Sequence, residues 1–158
     1  MKETARNIFV LSICMIQVFS CALAERSVAL PNSRYVIEVP DWMRYSEPGE
    51  EYEGVEAYLS EMLEINYTSY PRATMIGSGA AGSLREVAEN SVAKGKEVEL
   101  RSVNGIEMVC FRTIDESDKT PCIGYVFEDG NWIVEIDFWY ATKEAAKLTA
   151  TIISSIHE

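Results

Sequence analysis

The sequence predicts an α+β domain, an antiparallel sheet with two main helices packed on it. Three observations carry that expectation. Asn104-Gly105 and Asp129-Gly130 are turn dipeptides flanked by runs with a hydrophobic period of two. Ser83 with Glu86 three residues on forms a capping box ahead of a helical stripe. From Lys143 to about His157 the apolar residues recur at helical spacing. With 158 residues, 47% of them hydrophobic, the chain is large enough to build a core without metals or staples.

Residues 1–24 stand apart from this domain. Lys2 and Arg6 form a positive end, Ile8 to Phe19 is almost wholly apolar, and Ala22-Leu23-Ala24 is a small-x-small site followed by Glu25-Arg26. This predicts a secretory signal peptide cleaved after Ala24 and a single domain over 25–158, secreted or held in the cell envelope. An uncleaved anchor and lipid attachment at Cys21 are the alternatives. Cleavage leaves 12 basic residues against 24 acidic ones, a net charge of −12. That balance, with no cluster of Lys and Arg, argues against nucleic acid as a partner, because counterion release needs such a cluster.

Ser33 to Val39 is rich in β-formers and stops at Pro40-Asp41, which predicts a first strand. Asp41 to Glu53 has turn chemistry and no helical period, so a loop is expected. Further strands are expected at Val55 to Leu59, Leu63 to Thr68 and Ala73 to Ile76. The glycine-rich run from Gly77 to Ser83 lacks a phosphate-binding spacing and reads as a linker. In the helix after it, Leu84, Val87, Ala88, Ser91 and Val92 share one face, and Gly95 supplies a stop. Thr142 is placed to cap the last helix, whose apolar side carries Ala145, Leu148, Ile152, Ile153 and Ile156.

Val98 to Val103 with Ile106 to Thr113 form one predicted hairpin, and Pro121 to Phe127 with Trp132 to Tyr140 a second. A symmetric middle loop over Ile114 to Thr120 would place Cys110 opposite Cys122. Val109 and Phe111 then share a face with Ile123, Tyr125, Ile136 and Phe138, the face expected to carry the helices. The opposite face collects Cys110, Cys122, Glu135, Asp137 and Trp139, with partial cover expected from the N-terminal strands or loops.

Cys110 and Cys122 are thus a disulfide candidate, the alternative being two free, half-buried small hydrophobes. Trp42, Tyr45 and Tyr52 lie in the predicted loop. With Trp139 they make a candidate interaction surface, since Trp and Tyr dominate interface hot spots. Alternatively they fold back as a lid over Val103, Ile106, Val126 and Ile133. Glu135 and Asp137 share a strand face two residues apart, as paired hydrolase carboxylates do, although charges on an outer sheet face are ordinary. The acidic stretch Glu47 to Glu53 lacks a calcium-loop pattern and is split by Pro48-Gly49. With one histidine, His157, beside the C-terminus, neither a zinc set nor a nucleophile–base pair is legible. No cofactor motif is present.

The strand running into Val39-Pro40-Asp41-Trp42, the capped helix, Val103-Asn104-Gly105-Ile106-Glu107, the Asp129-Gly130 turn and the ending Ile152-Ile153-Ser154-Ser155-Ile156 together resemble a known pattern. It is that of the PsbP/Mog-like fold, shared by the photosystem II extrinsic subunit PsbP and the Ran-binding Mog protein. The chain is similar above all to small, uncharacterised bacterial exported proteins of that fold. The resemblance spans residues 33 to 157 and implies an antiparallel sheet with helices packed on it; it carries over no catalytic residue. The expected function is an exported, non-enzymatic binding or assembly module whose partner is a protein or envelope component. The alternative is a small secreted hydrolase using Glu135 and Asp137.

Overall fold

The computed structural model describes residues 24–47, 55–77, 83–93 and 97–158. In chain order these form β1 (Glu25–Ala29), β2 (Val36–Pro40), β3 (Arg44–Ser46), β4 (Glu56–Leu59), β5 (Leu63–Pro71), α1 (Arg72–Gly77), α2 (Leu84–Ala93), β6 (Val98–Val103), β7 (Ile106–Ile114), β8 (Pro121–Asp129), β9 (Trp132–Tyr140) and α3 (Lys143–Ser154). The main sheet has seven antiparallel strands in the order β3-β4-β5-β9-β8-β7-β6, and β1 pairs with β2 in a separate ribbon. The architecture is α+β, as the sequence predicts.

Local signals are obeyed. Asn104 and Gly105 have φ of 50° and 85°, the two positive values a type I′ turn requires, and Val98 pairs with Phe111 as expected. Ser83 Oγ accepts from the Glu86 amide at 3.2 Å, and Thr142 accepts from the Ala145 amide at 3.1 Å, so both predicted caps form.

Several elements differ from expectation. The first strand is β2, starting at Val36, and it is preceded by β1, which has a single buried residue, Val28, and so no apolar alternation to announce it. Within the predicted loop, Arg44–Ser46 pairs with β4 as a short edge strand. β5 runs on to Pro71, and Ala73 to Ile76 lie in α1 instead of a strand. In the second hairpin Asp129 pairs with Trp132, so Gly130-Asn131 is the turn and Gly130, φ 59°, takes the first central position. The Asp129 carboxylate is engaged elsewhere, accepting from Ser33 Oγ and the Arg34 amide, both at 2.9 Å.

The largest correction is the register of β7 against β8. Asp115 and Asp118 fold the connecting loop tightly: Asp115 Oδ1 accepts from the Ser117 amide at 2.7 Å and Asp118 Oδ1 from the Thr120 amide at 2.8 Å. Pairing therefore extends to Ile114 with Pro121, Cys110 lies opposite Tyr125, and Cys122 lies opposite Thr113. An odd slip exchanges the faces of β6 and β7 relative to β8 and β9. Cys110 and Cys122 consequently point to opposite sides of the sheet, both buried and both free, and the expected disulfide does not form.

On the first face Met108, Cys110, Tyr125, Phe127, Ile136, Phe138, Ile65 and Tyr67 pack beneath β1, β2, α3 and the residues after α3, which contribute Val28, Ile37, Val39, Ala145, Ile152 and Ile156. Each such side chain stabilises the fold by roughly 1.5–3 kcal/mol through burial. The N-terminal strands β3 to β5 widen the sheet, and do not cover its second face as expected. That face receives α2, whose Leu84 and Ala88 bury against Val109 and Ile133, with Tyr70, Val98, Leu100 and Val126 around them.

This register predicts that non-reducing peptide mapping recovers Cys110 and Cys122 as separate free thiols. A fragment joining the two would contradict the register.

Candidate functional site

α2 covers the β6–β8 part of the second face and reaches Ile133 and Tyr70 at its near corner. Toward β4, β5 and the far half of β9 the face opens as a groove of about 1140 Å³. Strand alternation sends Glu135, Asp137 and Trp139 of β9 onto this side. Thr68, Asn66 and Glu64 lie opposite them on β5, and Val126, Gly124 and Cys122 on β8.

Asp137 occupies the centre. A Cβ on Gly124 would stand 2.0 Å from Phe111 Cζ and 2.5 Å from Asp137 Oδ1. The missing side chain thus lets the Phe111 ring lie across β8 to the flank of the carboxylate. On the other flank the Asn66 amide donates to Glu64 at 2.9 Å. Asp137 Oδ1 is left buried with no donor among the described residues. Burial, and after it the charge of Glu135, pushes the Asp137 carboxyl up to about 7. Burial alone raises Glu135. The Cys122 thiol is pushed up to about 12, first by burial and then by Asp137. Tyr70 is raised by burial, with Glu135 and Asp137 adding to it.

Chemically, a carboxyl held near neutrality beside a second one is able to exchange protons with a bound group. The remaining parts of a nucleophilic site are not assembled around it. The Cys122 thiol is shifted away from the thiolate. His157 is tied to the C-terminal end of the first face, its Nδ1 2.8 Å from the Ser155 carbonyl and its backbone paired with Val36. Among the described residues no group of three or more His, Cys, Asp and Glu is arranged to hold a metal ion.

The predicted interaction residues separate. Trp139 is half-buried in the groove. Tyr45 lies in register with Tyr58, Ile65 and Phe138, on the first face. There its ring is 5.4 Å from that of Tyr58, and its hydroxyl donates to Glu56 at 3.1 Å. Trp42 lies in the turn between β2 and β3, beside the buried Val39 and Met43, and is 46% exposed. It is no lid: Val126 and Ile133 are covered by α2, while Val103 and Ile106 belong to the first core. Tyr52 lies outside the described residues. Sequence reading did not single out Gly124, Phe111 and Asn66 for this site. Gly124, a glycine in mid-strand, was the one available signal.

No protein-family profile matches the chain, and no curated protein sequence does. Solved structures match it by shape. The cyanobacterial PsbP of Synechocystis superposes with a TM-score of 0.55 at 13% identity, over 87% of this chain and 94% of its own. The fold is PsbP-like. A Bacteroides thetaiotaomicron protein matches with a TM-score of 0.54 at 11% identity over 78% of this chain, which spans 44% of that protein's length. At these identities the PsbP-like likeness concerns the fold alone. Among the described residues no helix is long and apolar enough to cross a membrane.

The Asp137 environment generates a pH prediction. In the unfolded chain this carboxyl ionises near pH 4, whereas the folded protein keeps the proton until about pH 7. The folded state therefore binds more protons in that window and loses stability as pH rises from 4 to 7. Asp137→Asn cannot ionise, so its melting temperature should gain on wild type through that range and level off above it. The gain is bounded at about 4 kcal/mol by the size of the shift. A gap that is flat in pH would show an ordinary carboxylate. Gly124→Ala should lose roughly 1–3 kcal/mol in denaturant melts, because Phe111 and Asp137 leave no room for the methyl group.

Proposed function

We propose that this protein is an exported, non-enzymatic binding or assembly module that uses the open half of its second sheet face as the contact surface. The observation that carries the reading is the groove itself. A sheet face covered by a helix on one side is left bare on the other, with Trp139 half-buried on it and Asp137 Oδ1 just beneath it, without a donor among the described residues. Sheet faces without a function are ordinarily covered or solvated by fully hydrogen-bonded polar groups. The PsbP-like fold supports the reading as a scaffold, with no catalytic constellation of its own to lend.

Export is supported by the apolar stretch and the Ala22-Leu23-Ala24 site. Cleavage after Ala24 leaves β1 whole from Glu25 and removes one acceptor, the Ala24 carbonyl that takes the Asp41 amide at 2.9 Å. Intact mass of the exported protein should correspond to residues 25–158. A mass beginning at Cys21 with added lipid would replace the free module by an anchored one.

The enzymatic alternative has one observation in its favour, the Asp137 carboxyl held near neutrality beside Glu135. The two readings part experimentally. For a binding module, Trp139→Ala abolishes capture of a partner from the source's envelope fraction while remaining folded by circular dichroism, and Trp42→Ala retains it. Turnover of a chromogenic glycoside or ester that is lost in Glu135→Gln would instead establish a hydrolase.

A further inference from the structure

We propose that the groove docks a cationic, amphipathic polypeptide segment, with Lys or Arg side chains against its carboxylates and apolar side chains against Trp139, Leu59 and Met62. This rests on the binding reading above and gives the partner its chemistry.

Charge complementarity is the first argument. The described residues lining the groove include seven carboxylates, from Glu47 beside β3 to Asp115 and Asp118 on the β7–β8 loop, and no lysine or arginine. Among the described residues six arginines pair away from the groove, and Lys119 on the β7–β8 loop adds its charge to Asp115 alone. Arg26 pairs with Asp41, Arg34 with Asp129 and Glu158, Arg72 with Glu128, Arg85 with Glu107, and Arg101 and Arg112 with Glu99. None of these ion pairs includes a groove carboxylate. Asp137 Oδ1 in particular is buried without a donor among the described residues, and a cation arriving beside such a carboxyl favours its ionised form.

Apolar side chains share the groove with the acids and with Asn66 and Thr68, which sets the second half of the recognition. Met62 is 41% exposed at the end of the groove, and Leu59 and Trp139 line it. An indole among carboxylates also receives a cation through its ring. The acids are spread over the end of β3, the β4–β5 turn, β5, β9 and the β7–β8 loop, with no three-ligand metal cluster among the described residues. A point cation therefore satisfies one or two of them, whereas a polypeptide with spaced charges meets several. Four strands span about 14 Å, the length of about ten helical residues. Basic amphipathic segments in acidic, Met-bearing grooves follow the same logic.

The test uses the exported protein and a fluorescein-labelled twelve-residue peptide of Lys and Leu in helical pattern, read by anisotropy, with a Glu-for-Lys counterpart. Binding of the Lys peptide alone is expected, and it should weaken at least tenfold in the exposed pair variant Glu61→Gln/Glu64→Gln. The control pair Glu25→Gln/Glu89→Gln removes the same charge away from the groove and should change affinity less than twofold. Trp139→Leu should weaken the Lys/Leu peptide more than oligolysine. Equal losses in both pair variants, binding of the Glu peptide, or displacement of the peptide by millimolar calcium would each overturn the proposal. If the Lys peptide fails while envelope capture still depends on Trp139, this inference falls and the binding reading stands. If capture is also indifferent to Trp139, both fall.

Discussion

The loop from Asp115 to Thr120 decides which residues of the sheet see which core. Its two aspartates cap backbone amides two residues ahead, and the Asp115 amide donates to the Thr120 carbonyl at 2.9 Å, so the strands close on Ile114 and Pro121. Because side chains alternate with period two, an odd change in register moves a whole strand's apolar set across the sheet. Met108 and Cys110 enter the main core, and Val109 is sent under α2. Both faces of the meander then demand cover, and the chain has one helix for each.

That division leaves the groove. α3 and the β1-β2 ribbon seal the first face, while α2, with ten residues, covers β6 to β8 and touches β9 and β5 only at the Ile133 and Tyr70 corner. The uncovered part of the second face holds Glu135 and Asp137, whose burial by Phe111 and neighbouring strands is destabilising for ionised carboxylates. Placing unpaired acids there weakens the fold and favours contact with an external cation or donor. The candidate site thus arises from the same register that organises the core, through Gly124, whose missing side chain admits both Phe111 and Asp137.

The two layers are joined at and beyond the end of α3 by hydrogen bonds to backbone carbonyls and by a backbone bridge. Asn104, in the tight turn, donates from Nδ2 to the carbonyls of Ser154 at 2.9 Å and Ile156 at 2.8 Å, taking up acceptors that the end of α3 leaves free. His157 then pairs with Val36 in both directions, at 2.9 and 3.1 Å. A residue chosen for its left-handed conformation therefore also fastens α3 to the sheet. The PsbP-like architecture is held here by turn and cap chemistry as well as by apolar burial.

Much of this was legible in the sequence because it is local. Asn104-Gly105 sets its own hairpin, Ser83 and Thr142 cap their helices within three residues, and the alternation in Ile123 to Phe127 and Val134 to Phe138 marks the buried side of β8 and β9. Glu135, Asp137 and Trp139 were likewise placed on the outer face by alternation alone. The tertiary structure decided what no local signal encodes. β1 has too few buried residues to announce itself and exists because β2 offers an edge. Ala73 to Ile76 continue as a helix after Pro71. The pairing of β7 with β8 depends on how tightly the intervening loop folds, a difference of a few residues that periodicity cannot detect but that reverses every side chain of two strands. Cys110 and Cys122 were separated, and the groove given its floor, by that parity.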